Sequence, residues 1–361
     1  MGKYKVCVYA ISKNESKFVK RWVDSMCEAD EIYVLDTGST DDTVKKLAEL
    51  GVNVKTKIIT PWRFDTARND SLSLVPYDTD ICVCTDLDEV FHKGWRDCLE
   101  KIWDKGALRA EYRYTWNFNS DGSEGVVFNI DKIHSRNGYK WINPVHEVLK
   151  WCGNGAEPLR LYADGIQLDH LADPTKSRSQ YLPLLELAVK EDPENDRNMH
   201  YLGREYMFYG KFDKAIETLK YHLSLKNAVW QDERCASMRY IAACYTALGN
   251  KGEAERWYLR AVAEAPHLRE PYIEYAKFAL SFSDWNLIVF LTERALKIKE
   301  RPVTYITTAE SWGALPYDLA SLGYYYTGRY SDADKAVNKA IELSPDDLRL
   351  KENKRLISEK L

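Results

Sequence analysis

Near residue 177 the hydrophobic pattern of this chain changes period, and that change limits its possible folds more than any other feature. Before it, short β-like runs alternate with amphipathic segments. Residues 5–10 and 31–36 are β-branched or aromatic runs ending in turn residues, 52–58 alternate with period two, and 80–85 form a short apolar run. Helical stretches near 16–27, 41–50 and 65–74 separate them. In the second, Ser39 or Thr40 caps the start, Val44, Leu47 and Ala48 form an apolar stripe, and Gly51 stops it. Such alternation predicts an α/β domain built on a mostly parallel sheet covered on both faces, with ligands at the carboxyl ends of its strands. Beyond Gly106, the runs 109–118, 125–133 and 145–151 read as hairpins.

After the change, marked by Pro174 and Pro193, the period is helical throughout. Three segments, 201–223, 240–262 and 318–341, share a tyrosine-bearing first helix, a glycine turn (Gly210, Gly249, Gly328) and an alanine five residues on (Ala215, Ala254, Ala333). A degenerate copy covers 272–298. Small residues at these places let paired helices approach closely while aromatics fill the neighbouring groove. The pattern resembles the tetratricopeptide repeat, with looser spacing between units. A chain of 361 residues has room for two cores, and the expected domains are 1–175 and an all-α repeat domain over 176–361. Repeat arrays mainly bind other chains, so any chemistry is expected in the first half.

Two motifs there stand at strand ends. In VLDTGSTDDT (34–43) a carboxylate is followed by a glycine turn and a helix start, an arrangement that serves either a capped β–α turn or a nucleotide's polar groups. No GxGxxG occupies the first strand–helix turn, which argues against a dinucleotide. In TDLDEVF (85–91), Asp86 and Asp88 leave a strand end two residues apart and can turn to one side, where Mg²⁺ or Mn²⁺ would sit with phosphate oxygens of a substrate. An acidic surface turn is the competing reading of that stretch alone.

Taken in order, KVCVYAISKNES, EIYVLDTGSTDDT, WRFDTARNDSL and ICVCTDLDEVF resemble family 2 glycosyltransferases of the GT-A fold over roughly residues 3–170. The resemblance implies an inverting enzyme that moves a sugar from a nucleoside diphosphate with the aid of Mn²⁺ or Mg²⁺. It implies Asp36 at the uridine, the Ile11–Glu15 turn with Ser39 lining the nucleotide, Arg68 facing the nucleotide side, Asp86 at ribose or metal, and Asp88 as the main metal ligand. Downstream, Glu147 in NPVHE matches the family's catalytic base, with His146 beside it, and His170 matches a histidine offered to the metal or diphosphate. The match departs at His-Glu, where Glu-Asp is commoner. Among Trp62, Trp116 and Trp141, the last is expected to stack on a sugar because it lies near Glu147.

The same DLDEV run matches the nucleophile motif of haloacid-dehalogenase-type phosphatases, yet that motif normally opens its fold, whereas three strand–helix units precede it here. A non-catalytic repeat scaffold is the third reading. The pairing of a GT-A domain with tetratricopeptide-like helices is similar to bacterial sublancin-type peptide glycosyltransferases, and the first half is also similar to enzymes extending lipopolysaccharide cores. These resemblances imply a UDP-hexose donor and a peptide or protein acceptor, or a homodimer through the repeats. Net charge −4 with no run of five like charges excludes an electrostatic case for nucleic acid. The first twelve residues are too short an apolar run for a signal peptide, and Val6 stands where a myristoylation motif needs Ser or Thr. Eight cysteines without a CxxC pair read as reduced thiols of a cytoplasmic protein.

Overall fold

A computed structural model describes residues 2–119, 122–173 and 180–361. It divides into two compact units, 1–188 and 189–361. The expected boundary at 175/176, with Pro174 and Ser177, lies outside the described residues.

The first unit opens with β1 (Val6–Ser12), α1 (Val19–Ser25), β2 (Glu31–Asp36), α2 (Thr43–Glu49), β3 (Asn53–Thr56), α3 (Phe64–Leu72) and β4 (Ile81–Cys84). There follow β5 (Glu89–Phe91), α4 (Trp95–Trp103), β6 (Arg109–Thr115), β7 (Val127–Ser135), β8 (Tyr139–Ile142), β9 (Val148–Trp151), β10 (Arg160–His170) and α5 (Tyr181–Glu191). Eight strands make one sheet in the order β3-β2-β1-β4-β7-β6-β10-β5, and β8 with β9 forms a separate hairpin. The β3-β2-β1-β4 half is parallel, as strand–helix alternation requires. The other half is mixed: β6 runs parallel to β10, whereas β7 runs antiparallel to β4 and β6, and β5 antiparallel to β10. The sheet is therefore mixed, because beyond α4 no helix crosses over to return each strand in the same sense.

The inner strands β1 and β4 are fully buried apolar runs, Val6, Val8 and Ala10 facing one core with Val19, Trp22 and Leu47, while Cys7, Tyr9, Cys82 and Cys84 face a second core under β8 and β9. The start of α2 differs in detail from expectation. Asp41, rather than Ser39 or Thr40, accepts the Thr43 amide at 3.0 Å. Ser39 instead belongs to the adjoining turn.

The second unit holds α6 (Asp196–Phe208), α7 (Phe212–Ser224), α8 (Gln231–Ala247), α9 (Lys251–Glu264), α10 (Glu270–Leu280), α11 (Trp285–Lys297), α12 (Leu315–Tyr326), α13 (Tyr330–Leu343) and α14 (Leu348–Ser358). They pair as α6–α7, α8–α9, α10–α11 and α12–α13. Three of the four pairs turn at a glycine with positive φ: Gly210 at 68°, Gly249 at 73° and Gly328 at 76°. Ala215, Ala254 and Ala333 are wholly buried where the paired helices touch. The α10–α11 pair, the degenerate copy, has Ser283 at φ 55° in place of glycine. Among the described residues no helix is long and apolar enough to cross a membrane.

Candidate active site

The carboxyl ends of β1 and β2 lie in register, Ser12 opposite Asp36, and their following loops are tied together. The Thr37 amide donates to the Ser12 carbonyl at 2.8 Å, the Asn14 amide to Ser39 Oγ at 2.8 Å, the Thr40 amide to Asn14 Oδ1 at 2.7 Å and the Glu15 amide to Thr43 Oγ1 at 2.8 Å. Asp36 is the hub. Its Oδ2 accepts the Gly38 and Ser39 amides, each at 3.0 Å, and its Oδ1 accepts the Ser12 hydroxyl at 3.2 Å and the Ser39 hydroxyl. Three donors of its own turn and the Ser12 hydroxyl from β1 thus orient the Asp36 carboxylate. Ile11 is half-buried and Glu15 buried in the same wall.

The TDLDEVF stretch is a turn in which each of the three carboxylates has a separate duty. The Glu89 amide donates to the Asp86 carbonyl at 3.0 Å, and the Asp86 amide donates back to Glu89 Oε2 at 2.8 Å, so Glu89 clasps the turn. Asp86 points to cations. Arg68 Nη2, from α3, donates to its two oxygens at 2.9 and 3.1 Å, and Lys132 Nζ, from β7, reaches Oδ2 at 3.1 Å. Lys132 also donates to Glu89 Oε1 at 3.0 Å, where the Tyr114 hydroxyl arrives at 2.8 Å. Burial alone would raise the Asp86 carboxyl, but the Arg68 and Lys132 charges hold it well below the usual carboxylate range. Glu89, wholly buried and near Asp86, is instead pushed upward despite Lys132. The same pair of carboxylates overcomes burial to raise the Lys132 ammonium.

Asp88 faces the other way. β10 runs beside β5 with His170 directly across from Glu89, and the Leu171 amide donates to the Asp88 carbonyl at 2.8 Å. His170 Nε2 therefore lies 3.5 Å from Asp88 Oδ2, while Nδ1 is held at 2.9 Å from the Trp116 carbonyl. A ring nitrogen pinned to a backbone carbonyl is the donor, Nδ1, and this leaves Nε2 turned to Asp88, with a proton in the imidazolium and a lone pair in the neutral ring. Burial disfavours the imidazolium, yet the Asp88 carboxylate and the Trp116 carbonyl raise the His170 value overall. The Trp116 ring stacks on His170 at 4.5 Å and is 41% exposed. A cleft of about 430 Å³ opens there, lined by Arg21, Trp116, Asn117, Phe118, His170, Leu171 and Ala172.

Glu147 stands in the loop between β8 and β9, where Asn143 and His146 both take positive φ, 77° and 51°. Its Oε1 receives Arg68 Nε, so one buried guanidinium joins Glu147 to Asp86. The Pro144 carbonyl accepts the Phe64 amide at 3.0 Å, which fixes this loop to the start of α3. His146 packs its ring against Tyr181 at 5.8 Å.

The structure thus gathers Arg68, Asp86 and Glu147 into one network, sets Asp88 with His170 beside it, and keeps Ile11, Glu15, Asp36 and Ser39 together at the neighbouring strand ends. Two expectations change. Asp86, expected to share a metal, has its oxygens committed to two cations, which leaves Asp88 and His170 as the facing donors. Trp141 is no sugar platform: it is 2% exposed, its indole donates to the Tyr9 hydroxyl at 2.7 Å, and Arg68 covers its ring at 5.3 Å. Among the described residues there is no group of three or more His, Cys, Asp or Glu side chains placed to hold a metal. Lys132 and Tyr114 went unseen in the sequence and Glu89, the third carboxylate of TDLDEVF, was left without a role; the one available signal was a lysine inside the β-like run 125–133.

Residues 7–123, which run from the second residue of β1 through β6 and include the whole TDLDEVF turn, match the model of Glycosyl transferase family 2. The SPbeta prophage-derived glycosyltransferase SunS of Bacillus subtilis (strain 168) and the glycosyltransferase SunS of Bacillus phage SPbeta are each 25% identical over 285 residues, 75% of this chain. The chain spans 65% of the length of these relatives. Among solved structures, MamA aligns with 46% of this chain and 83% of its own at 20% identity and a TM-score of 0.36. Glucosyl-3-phosphoglycerate synthase from Mycobacterium tuberculosis, in complex with Mn²⁺ and UDP-glucose, aligns with 31% of this chain and 44% of its own at 24% identity and a TM-score of 0.27. Residues 7–123 are thus similar to family 2 glycosyltransferases, and an all-helical unit follows in the chain.

Proposed function

We propose that this protein is a metal-dependent, inverting glycosyltransferase that moves a hexose from a UDP-sugar to a peptide or protein acceptor in the cytoplasm. The transferring domain is 1–175 and the acceptor-binding repeats are 176–361. The observation that supports this reading is the Arg68 link between Glu147 and Asp86, two residues from the Asp88–His170 pair, within a chain whose relatives are named glycosyltransferases. The nucleotide lies against Ile11, Glu15, Asp36 and Ser39, with Asp86 and Arg68 towards the ribose and diphosphate.

Asp88 and His170 fit a divalent ion: a carboxylate and a tautomer-fixed imidazole face each other, a donor set that suits Mn²⁺ at least as well as Mg²⁺. When bound, the ion would neutralise charge on the leaving diphosphate. Glu147, with His146 beside it, takes the proton of the acceptor hydroxyl or thiol as that atom attacks the anomeric carbon. The bond from that carbon to the diphosphate oxygen breaks on the opposite face, and its electron pair leaves with UDP. Arg68 orients Glu147 and ties its position to that of Asp86. The repeats serve the acceptor, and a homodimer contact is their alternative use.

Release of UDP from a panel of UDP-hexoses, with Mn²⁺ and purified protein, tests the reading. Turnover should fall at least 100-fold in Asp88→Ala and in Glu147→Gln while the unfolding temperature stays within a few degrees. Hydrolysis of a phosphomonoester with every sugar nucleotide left intact would sink it.

A further inference from the structure

The second unit has one connection unlike the rest. Paired helices are joined by short turns, yet residues 298–314, between α11 and α12, form a long passage whose only helical turn is a 3₁₀ turn at Ala309–Trp312. This passage lies along the first helices of the preceding pairs. Tyr305 stacks on Tyr201 of α6 at 6.0 Å and meets Trp230, which precedes α8, at 5.5 Å. Its hydroxyl donates to Glu233 of α8. The Ile306 carbonyl accepts from Arg239 Nη2 of α8 at 3.3 Å, and the Thr308 amide donates to Glu270 Oε1 of α10 at 3.0 Å.

We infer that residues 302–308 are a built-in occupant of the repeat face, and that the partner this face takes is a peptide carrying a tyrosine at a turn, which binds by displacing them. Three observations carry the inference. The segment touches the first helices of three successive repeats without regular secondary structure of its own, bending at Val303–Thr304 and turning at Tyr305–Ile306. The groups that hold it are a ring with its hydroxyl, a backbone carbonyl and a backbone amide, all of which a second peptide can supply. It is also held from one side: Ile306 and Thr307 are buried, whereas Val303 is 51% exposed. Its tether gives it an effective concentration in the millimolar range, so a competing peptide binds the intact protein weakly. This deepens the peptide-acceptor reading and rests on it for the class of partner. Binding is read without any donor, so failure of sugar transfer and failure of this site are told apart.

The test uses the full chain and a fluorescein-labelled synthetic copy of residues 301–310. Tyr305→Ala should bind this probe at least tenfold more tightly than the unmodified protein, and a probe with alanine at its tyrosine should lose that gain. Should Tyr305→Ala fail to fold, Thr304→Gly loosens the segment while keeping the tyrosine, and a gain of about threefold is expected. Hydrogen exchange of the unmodified protein is the independent arm. Amides of residues 303–308 should exchange at least 100-fold faster than those of α8. Equal probe binding by variant and unmodified protein, or exchange of these amides as slow as α8, overturns the inference.

Discussion

At the scale of single residues the site is governed by one buried guanidinium. Arg68 is 4% exposed and joins two carboxylates, Asp86 and Glu147, that come from separate loops. Removing one partner of a buried pair leaves the other charge uncompensated, which costs more than the pair itself contributes. Arg68→Met should lower stability by about 3 kcal/mol, discounted for the partial exposure of Asp86, as measured by urea unfolding. Arg68→Lys should lose less stability yet still misplace Glu147, because an ammonium lacks the planar fork that reaches both carboxylates. The two aspartates of TDLDEVF were legible from their spacing after a strand. Their division of labour was not, since Lys132 reaches Asp86 from 46 residues away and His170 reaches Asp88 from another strand.

At the scale of elements, the strongest local signals were glycine turns and apolar periods. Gly210, Gly249 and Gly328 all take positive φ, and an added Cβ would meet nothing within 4 Å at any of them. Substitution by alanine there carries only the cost of the left-handed backbone, about 1–2 kcal/mol each, adding roughly linearly across the three sites in thermal or urea unfolding. Gly203 in α6 differs: a Cβ would stand 2.5 Å from Leu219 of α7, so Gly203→Ala should cost more than any of the turn glycines, by overpacking. Sequence reading named no element at α4, β5, β8 or β10, and β5 shows why. Three residues carry no detectable period, and Glu89–Phe91 becomes a strand only because β10 lies beside it. That pairing is what carries His170 to Asp88.

At the scale of the whole molecule, each unit keeps a buried neutral histidine. His134 sits between the Tyr9 hydroxyl at 2.7 Å and the Ser135 carbonyl at 2.8 Å, and burial pushes it down to about 4. His200 meets the Ser237 hydroxyl at 2.7 Å and is pushed down to about 3, again mainly by burial. In both cases the folded value lies below the unfolded one of about 6.5, so their contribution is fully present above pH 6.5 and is lost as pH falls towards 4 and 3. Between pH 6.5 and 5 each unit should lose about 2 kcal/mol, and His200→Gln should flatten that slope in the second unit alone, as followed by urea unfolding at a series of pH values. The sequence by itself determined what depends on local chemistry: two units of different period, the parallel half of the sheet, the repeat turns and the acidic strand ends. Tertiary structure alone decided the mixed half of the sheet, the cations that claim Asp86, the burial of Trp141 and the passage of residues 302–308 across the repeats. The physical reason is that strand pairing and charge compensation join residues distant in the chain, so neither leaves a period or a spacing to be read.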